Sequence, residues 1–415
     1  MECLVPSDLS NRIHWYPFDD HPQSDTCWSI STGPDDRVYA AACSEGVPGG
    51  IVKLVRFDET TDGWSYLLDV DQAVDDPFDS GRLTQCKIHY SFAPSVADGI
   101  MYFATHLSAP PFDKPLESAW AYIVDDERRF RGSALGAYDT ERDELLWWDT
   151  FMPGEGCRAM VLDEERGLVY GLTCPRDRLI VYDLSSRTSR DLGRIGSVNS
   201  QVLILDARHR VWTSGDTGEL VCYDPASDRI RRTGMMLPYD PDFQNGWHSL
   251  LYDAVAAPDR ASVFATTYSA QPQLVRLWLD GDGDPRIEAL GPTTQTRSSR
   301  SAVDPMIDHC GGLVFGRDHK LYYVATRWQD PESGHSTLSG RPVEGVLWRL
   351  DPETGVLDEL GVLDAPDHAV HYVARGAIGQ NGDLFFAYIG GPPAGAFRLD
   401  MDGFGDAPLP LRIWG

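Results

Sequence analysis

Two histidines, His89 and His106, stand near the two ends of the segment CKIHYSFAPSVADGIMYFATH. Imidazole gains and loses a proton near neutral pH, so a pair of them is suited to proton transfer. Arg158, in the segment GCRAMV, adds a guanidinium that can hold a carboxylate through two parallel hydrogen bonds. If the fold brings these three side chains together, they could remove a proton next to a bound acid.

A repeated segment predicts the elements that position these residues. It consists of a short apolar strand, an aromatic residue or leucine, an aspartate and a polar turn. Aspartate suits the first turn position because its carboxylate accepts a main-chain N–H. The seven copies end at Phe57-Asp58, Tyr138-Asp139, Tyr182-Asp183, Tyr223-Asp224, Leu279-Asp280, Leu350-Asp351 and Leu399-Asp400.

Each of these hairpins is preceded by a further strand, such as RVYAAAC or IMYFATH, and by another short strand and turn. Four antiparallel strands repeated seven times predict an all-β fold, a seven-bladed β-propeller. We expect residues 1–415 to form a single propeller domain, with segment 1–25 packing on it or completing it. Residues 407–415 could supply the last strand.

The ends of the second strands and the starts of the first strands should form two rings at one mouth of the propeller. Aligned on a shared aromatic residue, the second strands end at Cys43, His106, Cys174, Asp216, Tyr268, Arg327 and Ile389. The first strands begin at Cys27, Lys87 and His89, Cys157 and Arg158, Asn199 and Gln201, Trp247 and His248, His309 and Cys310, and His371 and Arg375. Antiparallel pairing then predicts that His89 and His106 are neighbours.

Two cysteine pairs have the same spacing as the histidines, within one residue: Cys27 with Cys43, and Cys157 with Cys174. The same geometry would bring each pair within reach of a disulfide, and the pairs would stay reduced in a reducing compartment. Packing as small apolar residues is an equal alternative. The sequence leaves their redox state open.

The mixture of groups at the mouth suggests a particular chemistry. Arg158, Arg327 and Arg375 together would form an anion receptor. With histidines and Tyr268 as proton acceptor and donor, this suits β-elimination from a uronic acid. A glycosidase would need two facing carboxylates, and the ring offers only Asp216.

Composition excludes some classes of partner. The formal net charge of −27 argues against nucleic acid, which requires a basic surface. No apolar run reaches the roughly 18 residues of a membrane span. The start, MECLVPSDLSNR, lacks the pattern of a signal peptide, so we expect a cytoplasmic protein, or a secreted one if a leader has been trimmed.

On KIHYSF, FATH and GCRAMV the chain resembles the seven-bladed propeller polysaccharide lyases, of the ulvan lyase and L-rhamnose-α-1,4-D-glucuronate lyase type. The resemblance implies that His89 and His106 share the base and acid roles and that Arg158 binds the uronate carboxylate. The ligand would be an acidic oligo- or polysaccharide. The predicted site residues are His89, His106, Arg158 and Tyr268 for catalysis, and Lys87, Asn199, His248, Arg327 and Arg375 for substrate binding.

Other functions remain open on the sequence. A non-enzymatic propeller could bind carbohydrate or protein at the same mouth. A metal-dependent lyase, a lactonase or another hydrolase would need a divalent cation, for which His248, His309 and His371 are weak candidate ligands. A cation is not required by the eliminative chemistry, and the sequence fixes neither the cofactor nor the oligomeric state.

Overall fold

The computed structural model describes residues 12–45, 52–76, 82–107, 127–196, 200–238, 249–269, 272–281, 284–293, 310–328, 343–363 and 372–402, without the side chains of 327, 328, 343 and 344. These residues form 28 strands and a short helix, α1 (Val70–Ala73). Within them, no helix has the length and apolar character needed to cross a membrane.

The strands fall into antiparallel groups of four in chain order. The first group contains β2 (Ile30–Thr32), β3 (Val38–Cys43), β4 (Val52–Asp58) and β5 (Gly63–Asp69). The second contains β6 (Gln85–Ser95), β7 (Ile100–Leu107), β8 (Gly132–Asp139) and β9 (Glu144–Pro153). The third contains β10 (Gly156–Asp163), β11 (Leu168–Cys174), β12 (Arg178–Asp183) and β13 (Thr188–Arg194). The fourth contains β14 (Ile204–Leu205), β15 (Val211–Ser214), β16 (Glu219–Asp224) and β17 (Arg229–Met236).

The remaining groups repeat the same order. The fifth contains β18 (Leu250–Ala256), β19 (Val263–Tyr268), β20 (Gln273–Trp278) and β21 (Arg286–Pro292). The sixth contains β22 (Cys310–Phe315), β23 (Leu321–Trp328), β24 (Val343–Leu350) and β25 (Leu357–Leu363). The last contains β26 (Tyr372–Ile378), β27 (Leu384–Ile389), β28 (Gly395–Leu399) and β1 (Ile13–Pro17). This pattern is compatible with the predicted seven blades.

The N-terminal strand closes the last group. β1 lies antiparallel to β28, with Ile13 opposite Leu399 and Pro17 opposite Gly395. Residues 407–415, for which the sequence suggested this place, lie outside the described residues, and β1 occupies the edge beside β28. The first and last parts of the described chain are therefore held in one sheet.

The first strands of all seven groups surround a common cavity of about 560 Å³. β2, β6, β10, β14, β18, β22 and β26 each contribute to its wall. β6 and β10 also make a parallel contact between Tyr90 and Ala159, which joins the second and third groups into an eight-stranded sheet. The first strands are therefore the inner strands of the fold.

The repeated aspartates have the predicted role. In six of the seven copies the carboxylate accepts the main-chain N–H of the residue two positions further on; these are Asp58, Asp139, Asp183, Asp224, Asp351 and Asp400. Asp280 accepts the N–H of Ala207, which lies in the fourth group, at 2.8 Å, and the residue two positions after Asp280 lies outside the described residues. The repeat thus fixes turns within groups and, once, a contact between groups.

The apolar core lies between neighbouring sheets. One buried cluster joins Tyr39 and Leu54 of the first group to Ile88 and Phe103 of the second. Close approach is needed there, since a Cβ at Gly136 would lie 2.3 Å from the Phe103 ring. Packing between sheets removes apolar side chains from water and fixes the inner strands around the axis.

Candidate functional site

His89 and His106 are side by side where the inner strand of the second group begins. Their ring centroids are 5.5 Å apart. The predicted proximity is confirmed, but the residue directly opposite His106 is Lys87, and the register shifts beyond Ile88. Both imidazoles are almost fully buried.

A β-bulge places His89, and similar irregularities recur in other inner strands. In the second group three residues, His89 to Ser91, oppose the single residue Ala104. The extra residue of the third group is Arg158, and Arg375 lies within the irregular stretch of the last group. Because a bulge redirects a side chain, these positions do not follow simple strand alternation.

Hydrogen bonds to main-chain carbonyls assign the tautomers of both histidines. His89 Nδ1 lies 2.9 Å from the carbonyl oxygen of Arg158, and His106 Nδ1 lies 3.0 Å from that of Leu107. A carbonyl oxygen only accepts, so each Nδ1 carries a proton and donates it. In the neutral ring, each Nε2 then holds a lone pair, and that of His106 is buried without a partner.

Both rings are held in the neutral form. Burial, followed by the positive charges of Lys87 and Arg158, lowers the pKa of His106 well below its usual value. Burial and Lys87 have the same effect on the pKa of His89. At neutral pH the pair therefore consists of two proton acceptors, which does not suit one of them for the acid role that the family resemblance implied.

Lys87 forms a buried ion pair with Glu45. Its Nζ donates to one carboxylate oxygen of Glu45, and the Trp28 Nε1 donates to the other at 2.8 Å. Burial lowers the pKa of Lys87, but the charge and the hydrogen bond of Glu45, together with Cys86, outweigh burial, and the pKa is raised. Lys87 is therefore a cation whose charge is largely balanced, rather than a free anion receptor.

Trp28 and Glu45 are site residues that the sequence analysis missed. The Trp28 ring stacks on His89 with centroids 4.6 Å apart, and Lys87 Nζ lies 5.2 Å from the same ring. A signal was present, because Trp28 follows Cys27 in the sequence as Arg158 follows Cys157. The sequence carried no such signal for Glu45, since its neighbours do not distinguish it from the other acidic residues of the chain.

Arg158 has no carboxylate partner among the described residues within salt-bridge distance. Its Nη2 donates to the Cys174 sulfur at 2.8 Å, and its Nε is buried without a hydrogen-bond partner. A buried guanidinium nitrogen normally has a hydrogen-bond acceptor beside it. Arg158 therefore retains unused capacity for an anion.

Arg375 is held in an ion pair with a buried carboxylate. Its Nη1 lies 3.1 Å from Oδ1 of the buried Asp253, and its guanidinium covers the Tyr90 ring at 4.3 Å. This is the ordinary salt bridge that sequence reasoning set aside. Asp253 therefore balances the charge of Arg375, and the assignment of Arg375 to substrate binding stays a prediction.

Tyr268 is connected to the histidines by a chain of aromatic contacts. Its ring stacks on Tyr252 at 5.7 Å, Tyr252 meets Tyr90 edge to face at 5.8 Å, and Tyr90 meets His89 at 4.7 Å. Tyr268 is thus at the same end of the axis as the pair, two rings further from His89 than Tyr90. Its assignment as a proton donor stays a prediction.

Several predicted site residues lie outside the described residues. These are Asn199, His248, His309 and His371. Arg327 is in β23, but its side chain is not described. Within the described part of the chain, no three His, Cys, Asp or Glu residues are arranged to hold a metal ion.

The cysteine pairs do not form disulfides. Cys27, Cys43, Cys157 and Cys174 are all free thiols. The register pairs Cys157 with Thr173 and Cys174 with Gly156, so the two cysteines are one position out of step. Since successive side chains alternate between the faces of a sheet, this offset points the two thiols to opposite faces.

No protein-family model and no curated protein matches this sequence. Solved structures do match. The extracellular domain of the hybrid two-component system BT4673 from B. thetaiotaomicron superposes with a TM-score of 0.56 at 11% identity, over 94% of this chain and 39% of that one. Streptogramin B lyase gives 0.56 at 9% identity, over 93% of this chain and 96% of that one. The β-propeller domain of Cps50 (Swd1) from Myceliophthora thermophila gives 0.53 at 10% identity, over 91% and 96%.

The fold is a β-propeller. The chain spans only about two fifths of the BT4673 structure, and identities this low carry the fold and no activity. None of these proteins is named as a polysaccharide lyase. The similarity therefore supports the predicted architecture and leaves the function to the site itself.

Proposed function

We propose that this protein is a seven-bladed ligand-binding propeller whose mouth, at the start of the inner strands, takes an acidic saccharide. Arg158 carries the proposal, because it is a partly buried guanidinium with a buried, unpartnered Nε and no ion pair among the described residues. A carboxylate would satisfy it through charge-assisted hydrogen bonds.

The surroundings of Arg158 favour one negative charge. Lys87 and Glu45 cancel each other, and both histidines are neutral at physiological pH. Among these groups Arg158 is therefore the cation without an ion pair to a described residue, in a chain whose net charge is −27. A single carboxylate would neutralise it, whereas a polyanion would meet repulsion from the rest of the protein.

Calorimetric titration with glucuronate, a rhamnose–glucuronate oligosaccharide and rhamnose tests this proposal. We expect both acidic ligands to bind and rhamnose not to bind detectably. Arg158→Gln should lower the affinity for glucuronate at least tenfold, as expected when a charged hydrogen-bonding partner is lost. Arg190→Gln, on the exposed outer strand β13, is the charge-matched control.

Binding of rhamnose as strong as that of glucuronate would contradict recognition of the carboxylate. Equal affinities in Arg158→Gln and Arg190→Gln would also contradict it, because both variants lose one positive charge. Circular dichroism and thermal unfolding of the two variants establish that each is folded before it is titrated.

β-Elimination at the bound uronate is a second candidate, favoured by the free lone pair on His106 Nε2. In this reaction Nε2 takes the C5 proton, the C–H electrons form the C4=C5 double bond, and the C4–O4 bond breaks. Arg158 would stabilise the charge that develops on the carboxylate. Since both neutral imidazoles are acceptors, the leaving oxygen would take its proton from another donor, for which Tyr268 is the candidate.

Absorbance of the unsaturated uronate distinguishes binding from elimination. With rhamnose–glucuronate oligosaccharides, a lyase would show a steady rise that His106→Gln abolishes while calorimetric binding persists. Saturating binding without any rise, over a panel of uronates and with divalent metal added, would leave a binding protein and exclude elimination for that panel.

A further inference from the structure

The cavity on the axis is separate from the histidine pair. On β6 its wall begins at Tyr90, one position after His89, and elsewhere it extends to the turns that follow β10, β14 and β18. The described residues that line it do not include His89, His106 or Arg158. Tyr90 contacts both regions, since its ring lies 4.7 Å from that of His89 and also forms part of the cavity wall. The cavity is therefore a second candidate site, at the far end of the inner strands.

The walls of this cavity are mostly apolar. Four apolar side chains near its opening are only partly buried although they line it; these are Leu162, Leu205, Val263 and Ile378. Fully buried rings and chains continue the wall, among them Phe92, Met160 and Phe315. A volume of about 560 Å³ is far larger than a packing defect and has the size of a ligand pocket. An apolar group that enters it leaves water, which favours binding.

Hydrogen bonds between neighbouring groups hold the opening in place. Glu164, in the turn after β10, accepts the N–H of Ala97, in the turn after β6, at 2.9 Å. His209, in the turn after β14, donates from Nδ1 to the Asp163 carboxylate at 3.0 Å. These contacts join the second, third and fourth groups at the opening. A preformed opening reduces the entropy that binding costs.

The lining carries more negative than positive side chains. Two arginines face four acidic residues, which are Asp163, Glu164, Glu165 and Asp206. Asp206 is paired with Arg210, and of the two lining arginines Arg375 is paired with Asp253. The other, Arg260, lies in the exposed turn after β18, opposed by three consecutive carboxylates in the turn after β10. In a chain of net charge −27, this opening favours a cation over an anion.

We propose that the axial cavity binds an apolar amine, whose hydrocarbon part lies along the walls and whose ammonium group meets the carboxylates at the opening. The site goes beyond the proposed saccharide mouth and uses none of the charged residues assigned to it. The two ends of the axis would then recognise ligands of opposite charge.

Calorimetric titration with phenylbutylamine tests both parts of the proposal. We expect butylamine, which lacks the ring, to bind at least about tenfold more weakly, because less apolar surface is buried. Phenylbutyrate keeps the ring and reverses the charge. It should bind at least about fivefold more weakly than phenylbutylamine, because a carboxylate meets like charges at the opening.

Filling the cavity should block the amine. Leu205→Trp and Leu162→Trp, measured separately, should each lower the affinity for phenylbutylamine at least about tenfold. Leu290→Trp is the matched control, because Leu290 is 39% exposed on the outer strand β21 and does not line the cavity. Thermal unfolding establishes that each variant is folded, and either cavity variant alone is sufficient for the comparison.

Removing one charge at the opening should change the preference between the two charged ligands. Glu165→Gln should weaken phenylbutylamine about two- to fivefold, as expected for an exposed ion pair, and bring phenylbutyrate closer to it. Glu141→Gln, in the exposed turn between β8 and β9, should retain wild-type affinities. Arg158→Gln should also leave phenylbutylamine binding unchanged.

The outcomes are independent of the saccharide proposal. No binding of phenylbutylamine at millimolar concentration, or equal affinities in Leu205→Trp and Leu290→Trp, would overturn the cavity as its site. Loss of amine binding in Arg158→Gln would do the same. Phenylbutyrate binding as tight as phenylbutylamine, or equal amine affinities in Glu165→Gln and Glu141→Gln, would overturn the selectivity for a cation. A failure of glucuronate to bind would affect only the saccharide mouth.

Discussion

The imidazoles of His89 and His106 lie 5.5 Å apart, and each donates its Nδ1 proton to a main-chain carbonyl. Neither ring takes its orientation from a carboxylate, which is the usual partner of a histidine that must become cationic. Burial, together with the cations Lys87 and Arg158, instead lowers the pKa of both rings and holds the pair neutral. The neutral pair is thus suited to accept hydrogen bonds, and a positive charge on either ring is disfavoured.

The depressed histidine pKa values predict a specific acid instability. In the unfolded chain each imidazole binds a proton near pH 6.5, whereas the folded protein resists it, so stability falls as pH drops below about 6.5. Urea unfolding between pH 5 and 8 should show His106→Gln with a shallower loss than wild type, by up to about 1.4 kcal/mol per pH unit.

The raised pKa of Asp177, about 6, acts in the opposite direction, because its stabilising protonation is lost as pH rises towards that value. Asp177 is present in both wild type and His106→Gln. The difference between their unfolding free energies therefore isolates the contribution of the His106 imidazole. If the unfolding free energies of the two proteins change with pH in parallel, folding does not lower the pKa of His106.

If the protein is a lyase, its rate should be nearly independent of pH between 6 and 8. Both imidazoles are already neutral there, since burial and neighbouring cations lower each pKa well below the usual value. A histidine with an ordinary pKa would instead give a rate that is halved near pH 6.5. The pH profile of kcat/KM on a rhamnose–glucuronate substrate distinguishes a lowered histidine pKa from an ordinary one.

Lys87→Met should strongly destabilise the protein. It leaves the Glu45 carboxylate, largely buried, without its cation, a change that costs about 3–5 kcal/mol when a buried pair is broken on one side. Adding Glu45→Gln should recover much of the loss in chemical unfolding. Arg190→Gln breaks an exposed pair with Asp228 and should cost less than about 1 kcal/mol.

Ser249→Ala should stabilise the ligand-free protein, by about 1 kcal/mol. Its hydroxyl is buried and unpartnered, and such a group carries a desolvation penalty that an alanine does not. Thermal unfolding without ligand measures the change. A lower Tm in Ser249→Ala would mean that the hydroxyl is satisfied in the free protein, for instance by a bound water.

Gly395→Ala tests how the chain closes. A Cβ at Gly395 would lie 2.2 Å from the carbonyl oxygen of Tyr16 in β1, so the N-terminal strand would have to move. We expect a loss of about 1–3 kcal/mol, typical of overpacking, in chemical unfolding. Gly63→Ala, where the nearest atom is 3.9 Å away, should change stability little; equal effects would argue against the tight β1–β28 contact.

The β-propeller could be predicted from the sequence because the same short hairpin pattern recurs along the chain. The aspartate turns are fixed by residues two positions apart, so a single short segment determines each one. Antiparallel order within a group then required the start of β6 to lie near the end of β7. That is why the proximity of His89 and His106 followed from spacing alone.

The same rule failed for the cysteines because it depends on register. A shift of one residue turns a side chain to the other face of its sheet, and spacing does not specify that shift. Cys157 and Cys174 are out of step by one position, whereas Lys87 is directly opposite His106. The bulges that redirect His89 and Arg158 likewise leave no plain mark in the sequence.

The sequence by itself determined the repeated hairpins, their order and the residue types at the mouth, because these depend on neighbours along the chain. Only the tertiary structure decided which charges are cancelled. Glu45 neutralises Lys87 and Asp253 neutralises Arg375, while Arg158 keeps its charge. Charge balance in a buried site depends on partners from other sheets, and distance along the sequence carries no information about them.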